Sequence, residues 1–156
     1  MKRKLLTAFA ALSAALAGPA GAVTQTGTFN VSITLNSACQ VVSTPSISFT
    51  YTSFGSAQTS NSSFNVQCTN TKSITSILLD DGAGGIAAGL SQSYTDQATG
   101  LNYTLTLSGV PTTGNGGNQA VSISGSMPAG QAGQCNAASC TNATSTNRTR
   151  TITITY

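Results

Sequence analysis

The sequence of 156 residues has no histidine and no tryptophan, and it carries only six basic and three acidic side chains. Each shortage excludes something. Serine and threonine are abundant, but without an imidazole they lack the base that activates a hydroxyl nucleophile. Zinc has neither a histidine nor a C-x-x-C pair to bind. The missing tryptophan removes the buried ring typical of antibody-type domains. Charge is not only sparse but balanced. The formal +3 comes from Lys2, Arg3 and Lys4, and beyond them Lys72, Arg148 and Arg150 offset Asp80, Asp81 and Asp96. The sequence pI of 8.8 therefore gives no reason to invoke nucleic acid or anionic membranes, which need clustered cations. Nucleic acid is not an expected partner. After residue 22, no stretch of ten or more residues has helical periodicity.

What is present begins with a leader. Lys2, Arg3 and Lys4 precede an apolar run from Leu5 to Ala17, and Ala20-Gly21-Ala22 is an A-x-A cleavage site. The run is too short and wrongly flanked for a membrane span, so residues 1–22 are expected to be a signal peptide for export. The mature chain then starts near Val23 and is the size of one domain. Its solubility rests on Ser, Thr, Asn, Gln and Gly, a composition suited to strands and turns. Low charge also suits a protein that packs against many copies of itself, where repeated like charges would repel.

Both ends of the mature chain alternate with a period of two, the mark of a strand with one buried face. In Gly27–Asn36, Phe29, Val31, Ile33 and Leu35 fall on one face. In Arg150–Tyr156, Ile152, Ile154 and Tyr156 share a parity, and the sequence stops inside that pattern. An uncovered strand edge is a template for another chain. A spare apolar strand and an open edge together lead us to expect joining by strand exchange.

Between these ends the sequence predicts strands in Cys39–Val42, Ile47–Tyr51, Phe64–Cys68, Ile74–Leu79, Leu101–Leu107 and Ala120–Met127. Pro45 should break or redirect the first. Asp80-Asp81-Gly82 reads as a turn, not a general acid/base or calcium pair, and Gly82–Gly89 and Pro111–Asn118 read as loops. Arg150 shares the parity of Ile152, which allows a place at the inner rim of the last strand, but it reads as a solvated strand end rather than a ligand site. The Asn-x-Ser/Thr triplets at Asn30, Asn61, Asn102, Asn142 and Asn147 are what this composition yields by chance. Six or seven short strands punctuated by turns describe an all-β, immunoglobulin-like sandwich.

Four cysteines in an exported chain imply oxidised pairs, with three possible connectivities. Cys135 and Cys140 are close enough to close a small polar loop, which leaves Cys39 with Cys68. No free thiolate then remains for catalysis. An enzyme is not expected, and neither is a metal or other cofactor.

These features resemble the spore coat protein U family, the subunits of archaic chaperone–usher pili of Gram-negative bacteria. The residues carrying the resemblance are Thr26-Gly27 before the alternating strand, Cys39 shortly after it, Cys68 closing the next strand, and the terminal Ile152-Thr153-Ile154-Thr155-Tyr156. The resemblance implies a sandwich lacking its last strand. A periplasmic chaperone fills the gap in transit, and at the outer-membrane usher the N-terminal strand of the next subunit replaces it. The product is a surface fibre for adhesion and biofilm formation. Carried over residue by residue, Phe29, Val31, Ile33 and Leu35 become donor residues in a segment 23–36. Cys39–Cys68 becomes the family disulfide within a domain 37–156, and Ile152, Ile154 and Tyr156 become part of the acceptor edge. The Cys135/Cys140 loop and the Gly-rich loops have no place in that pattern. The competing expectation is a secreted sandwich that folds alone and binds carbohydrate or a cell surface through those loops.

Overall fold

A computed structural model describes residues 21–82, 87–143 and 148–156. Most of the expected leader, residues 83–86 of the glycine-rich loop, and Asn147 lie outside the described residues. Clustering of contacts separates residues 1–34 from residues 35–156. In the first unit the described residues carry no strand and are all exposed.

The second unit is all β, with no α-helix among its described residues. Its described residues form eight strands: β1 (Cys39–Val41), β2 (Gln58–Cys68), β3 (Ser76–Asp80), β4 (Ala87–Gly89), β5 (Ser91–Thr95), β6 (Asn102–Ser108), β7 (Asn118–Met127) and β8 (Ile152–Thr155). They form a five-stranded sheet ordered β1-β2-β7-β6-β5 and a three-stranded sheet ordered β4-β3-β8. All pairings are antiparallel. This is the β-sandwich expected from the alternation.

The core follows from parity. In β7, Val121, Ile123, Gly125 and Met127 are buried while Ala120, Ser122, Ser124 and Ser126 face water. Phe64, Val66 and Cys68 of β2 and Leu105 and Leu107 of β6 line the same interior, and Ile77 and Leu79 of β3 close it from the other sheet. Fully burying such side chains contributes roughly 1.5–3 kcal/mol each, which is what holds the sheets together.

Two strands escape the sequence reading. β5, Ser-Gln-Ser-Tyr-Thr, buries only Tyr94 and is joined to β6 by hydroxyl pairs, Ser91 to Thr106 and Ser93 to Thr104, each at 2.9 Å. β4 occupies the end of the run Gly82–Gly89 that reads as loop. β2 also extends six residues upstream of Phe64, where its polar residues pair with β7 from Gln58 onward.

The segment Ile47–Tyr51 departs from expectation in the opposite way. It keeps its alternation, with Ile47, Phe49 and Tyr51 half-buried, yet it joins no ladder. β1 stops at Val41, one more backbone bond runs from the Val42 N–H to the Asn65 carbonyl at 2.8 Å, and serine hydroxyls then take over. Ser43 Oγ accepts the Asn65 N–H at 3.1 Å and Ser62 Oγ accepts the Ser46 N–H at 3.3 Å. With Pro45 unable to donate, the chain peels away from β2. It then crosses the interior above Gly125, where an added Cβ would lie 2.6 Å from Phe49 Cζ and 3.0 Å from Ile47 Cγ2. Gly125 is in the middle of a strand because the side chains of Phe49 and Ile47 occupy the room a Cβ would need.

Candidate functional site

A groove of about 920 Å³ lies between the unladdered segment and the final strand. Thr44–Phe49 and Tyr51 form one flank, and Arg150–Ile152 the other. Leu79, Leu105, Ile123 and Met127 supply an apolar floor. These are core side chains, so the groove opens directly onto the interior.

The β8 flank presents backbone. Among the described residues β8 is the edge of its sheet, paired with β3 on one side only. Asp80 N–H donates to the Thr151 carbonyl at 3.1 Å and Thr75 N–H to the Thr155 carbonyl at 2.7 Å. Antiparallel bonding alternates, so the groups of Thr151, Thr153 and Thr155 face β3 while those of Ile152 and Ile154 face the open edge. Their side chains share a parity and pack against the core. On this edge the sandwich offers a strand-shaped slot with main-chain donors and acceptors along it.

One end of the slot is braced by a charged and aromatic cluster. Arg150 is not the solvated strand end its position suggests: its side chain is only 12% exposed. Its guanidinium lies 4.3 Å from the Tyr94 ring centroid, its Nε donates to Tyr103 Oη at 3.0 Å, and its Nη1 is 3.5 Å from Asp80 Oδ1. Asp80 also accepts the N–H groups of Gly82 and Thr151, and Tyr94 Oη donates to its carbonyl at 2.9 Å. The expected turn at Gly82 is there, with φ near +80°, but Asp80 faces inward and pins the start of β8. Burial raises the Tyr94 phenol far above its ordinary value, so it stays a donor. Burial works to lower the Arg150 value, but the bond to Tyr103 and the neighbouring acidic groups outweigh it, so the charge is held. Tyr94, Tyr103 and Phe49 continue the wall, with centroids 5.3 and 6.2 Å apart.

The connection from β7 to β8 closes the same end. Gln131 accepts the Asn102 N–H at 2.6 Å and donates to its carbonyl at 2.9 Å, while its own N–H meets Tyr51 Oη at 2.9 Å. Asn142 donates to buried Asp96 at 3.0 Å, and Thr99 donates to Asp96 through both N–H and hydroxyl at 2.8 Å. Cys135 and Cys140 are bonded within this connection, and Cys140 and Asn142 line the groove. The other disulfide, Cys39–Cys68, joins facing residues of β1 and β2 at the far end.

The sequence-derived residues divide by location. Ile152 lines the groove, and Ile154 sits beside it opposite Ile77. Tyr156 is partly exposed, with Lys72 Nζ 5.5 Å from its ring centroid. Phe29, Val31, Ile33 and Leu35 are 70–86% exposed and belong to no strand. Asp80, Arg150 and Tyr103 lie far apart in sequence, and periodicity did not disclose that they meet. Gly125 did leave a signal, as a lone glycine within an alternating strand. Among the described residues no group of three His, Cys, Asp or Glu could hold a metal ion, and no helix is long and apolar enough to cross a membrane.

Residues 25–155 match the family model of the Spore Coat Protein U domain. No curated protein and no solved structure matches the chain.

Proposed function

The chain belongs to the spore coat protein U family, a structural domain of the chaperone–usher pilus type, and from that premise we propose that it is a pilus subunit polymerised by donor-strand exchange. The observation that carries this reading is the groove beside β8, whose outer edge has no strand partner among the described residues. In the proposal, residues 23–36 of a second copy enter the slot, with Phe29, Val31, Ile33 and Leu35 turned onto the apolar floor. Their backbone bonds to the outward groups of Ile152 and Ile154. Main-chain bonding supplies affinity and alternate side chains set register, the general logic of strand addition.

Antiparallel insertion is favoured because every ladder in this sandwich is antiparallel. Leu35 then comes to the Arg150 end of the groove and Thr28 toward the Tyr156 end. Burying four donor side chains contributes roughly 6–12 kcal/mol, an upper estimate from extended-chain reference areas. A domain's whole net stability is about 5–15 kcal/mol. A subunit without a donor is therefore marginal, and a periplasmic chaperone that lends a strand would protect it until an outer-membrane usher exchanges that strand for the next subunit. Export to the periplasm, display on the cell surface, and a role in adhesion and biofilm formation follow from the same reading.

The test is to express residues 23–156 and 37–156 with export to the periplasm. The longer chain should polymerise. The shorter should form no polymer and accumulate as a folded species only when a peptide of residues 23–36 is supplied. A shorter chain that is monomeric and unfolds cooperatively without peptide would overturn the reading in favour of a self-sufficient binding module.

A further inference from the structure

The turn Thr52-Ser53-Phe54-Gly55 is closed by the Gly55 N–H on the Thr52 carbonyl at 2.9 Å, with Phe54 at φ +64°. That left-handed conformation is unfavourable for a bulky residue, and glycine would adopt it without strain. The turn is nevertheless fastened firmly. Phe54 N–H donates to the Gln131 carbonyl at 2.8 Å, Gly130 N–H to the Gly55 carbonyl at 2.9 Å, and Ser53 Oγ to the Ala132 carbonyl at 2.6 Å. All this holds a phenyl ring that is 75% exposed. A strained backbone presenting a large apolar side chain to water is a feature that calls for a partner.

At the other end of β2 is a cleft of about 360 Å³ lined by Ala38, Cys39, Gln40, Cys68, Thr69 and Gly116, among others. It is uncharged, and the Cys39–Cys68 disulfide lies in its wall. Ala38 and Thr69 hold the cleft by exchanging backbone and side-chain bonds, and Gly116 N–H caps the Cys68 carbonyl at 3.1 Å. β2 spans 11 residues between the two features, about 35 Å of strand, so Phe54 cannot reach the cleft of its own chain.

We propose that Phe54 of one subunit docks into this cleft of the next copy. The inference rests on the strand-exchange reading. With the donor antiparallel to β8, its Leu35 lies at the acceptor's Arg150 end, the end where Tyr51, Gln131 and the Phe54 turn are bonded together. Only Asn36 and Ser37 separate Leu35 from Ala38 in the donor's cleft wall, a reach of about 11 Å at most. The cleft-bearing end of the donor is thus brought against the Phe54-bearing end of the acceptor. A knob and a complementary cleft at opposite ends of one chain make a head-to-tail contact, which propagates along an open filament. The inserted strand tethers neighbouring subunits, and Phe54 fixes their relative orientation.

The decisive experiment replaces Phe54 with photoreactive p-benzoyl-phenylalanine in the full chain, followed by irradiation of assembled polymer and mass-spectrometric mapping. Crosslinked multimers joined at Ala38–Gln40, Gln67–Thr69 or Gly116 are expected. Polymer that forms normally but crosslinks elsewhere, or not at all, would overturn the Phe54 contact while leaving strand exchange standing. Absence of polymer in the unsubstituted chain would sink both. In parallel, Phe54→Gly should raise the subunit's thermal midpoint by removing the strain. It should also yield polymer whose persistence length in electron micrographs is at least twofold shorter. An unchanged persistence length counts against the proposal.

Discussion

At the residue scale, the side chains that shape the groove's polar end are those a sequence conceals best. Asp80 and Arg150 are 70 positions apart, and nothing in either neighbourhood marks them as partners. Asp80 sits in a strong turn signal, which it does serve through Gly82, and that local role masks the long-range one. Removing Asp80 while leaving Arg150 strands a half-buried cation and two backbone N–H groups. Asp80→Ala should therefore cost about 2–4 kcal/mol, at or below the range for broken buried pairs because the ion contact is single and at a rim. Asp80→Ala with Arg150→Met should cost less than the sum of the single changes, measured as urea midpoints of the polymer-forming chain. Asp96 offers a test by pH. Burial raises its carboxyl pKa, but bonds from Thr99 and Asn142 outweigh this and hold it below the ordinary 3.8. A depressed folded value adds stability above the unfolded value and loses it as pH falls through the folded one. The thermal midpoint should drop as pH falls below about 4, near the unfolded aspartate value. Asp96→Asn should flatten that drop. An identical acid profile in both proteins would show that the Asp96 contacts do not fasten the loop.

At the element scale, legibility tracked how much apolar surface a strand buries. β6 and β7 announce themselves because every second residue is a core side chain. β5 buries one tyrosine and is held by hydroxyl pairs, so no hydrophobic period exists to read. The upstream half of β2 is invisible for the same reason. The segment Ile47–Tyr51 shows the converse: its period of two is real, but alternation reports which face is buried and not whether the backbone has a ladder partner. The same distinction applies to Phe29–Leu35, whose alternation is plain although the segment joins no strand. Parity gives the sharpest test of the donor proposal. Val31→Asp or Ile33→Asp would bury an unpaired charge on the groove floor, costing several kcal/mol (about 3 or more), and should abolish polymer. Ser32→Asp and Thr34→Asp put their charge toward water and should polymerise nearly normally. Ile154→Asp should do worse than any of them, because that side chain packs against the subunit's own core. Equal polymer yields for the odd and even positions would mean that the segment is not seated with one face buried.

At the scale of the whole molecule, the flanks of the groove decide how the proposed donor strand would be supplied. β8 runs from the braced Arg150 end to Tyr156, so an antiparallel donor begins beside Tyr156 and runs back toward Arg150. A hairpin of two to five residues can join antiparallel neighbours, whereas parallel ones need a crossover of a dozen or more. This makes donor direction measurable in one polypeptide. Residues 24–36 are deleted from the front and appended after Tyr156 through a four-residue turn. If the donor runs antiparallel, the rearranged chain fills its own groove. It should be monomeric, resistant to polymerisation, and several kcal/mol more stable than the chain lacking the segment, about the 6–12 kcal/mol estimated for four buried side chains at most. Carrying Val31→Asp in the relocated segment should return it to the marginal state, which ties the gain to seating of that face. A four-residue linker that gives no gain, alongside a 15-residue linker that does, would establish parallel insertion. The donor body would then meet the acceptor at the Tyr156 end, and the Phe54 turn would be free of the junction.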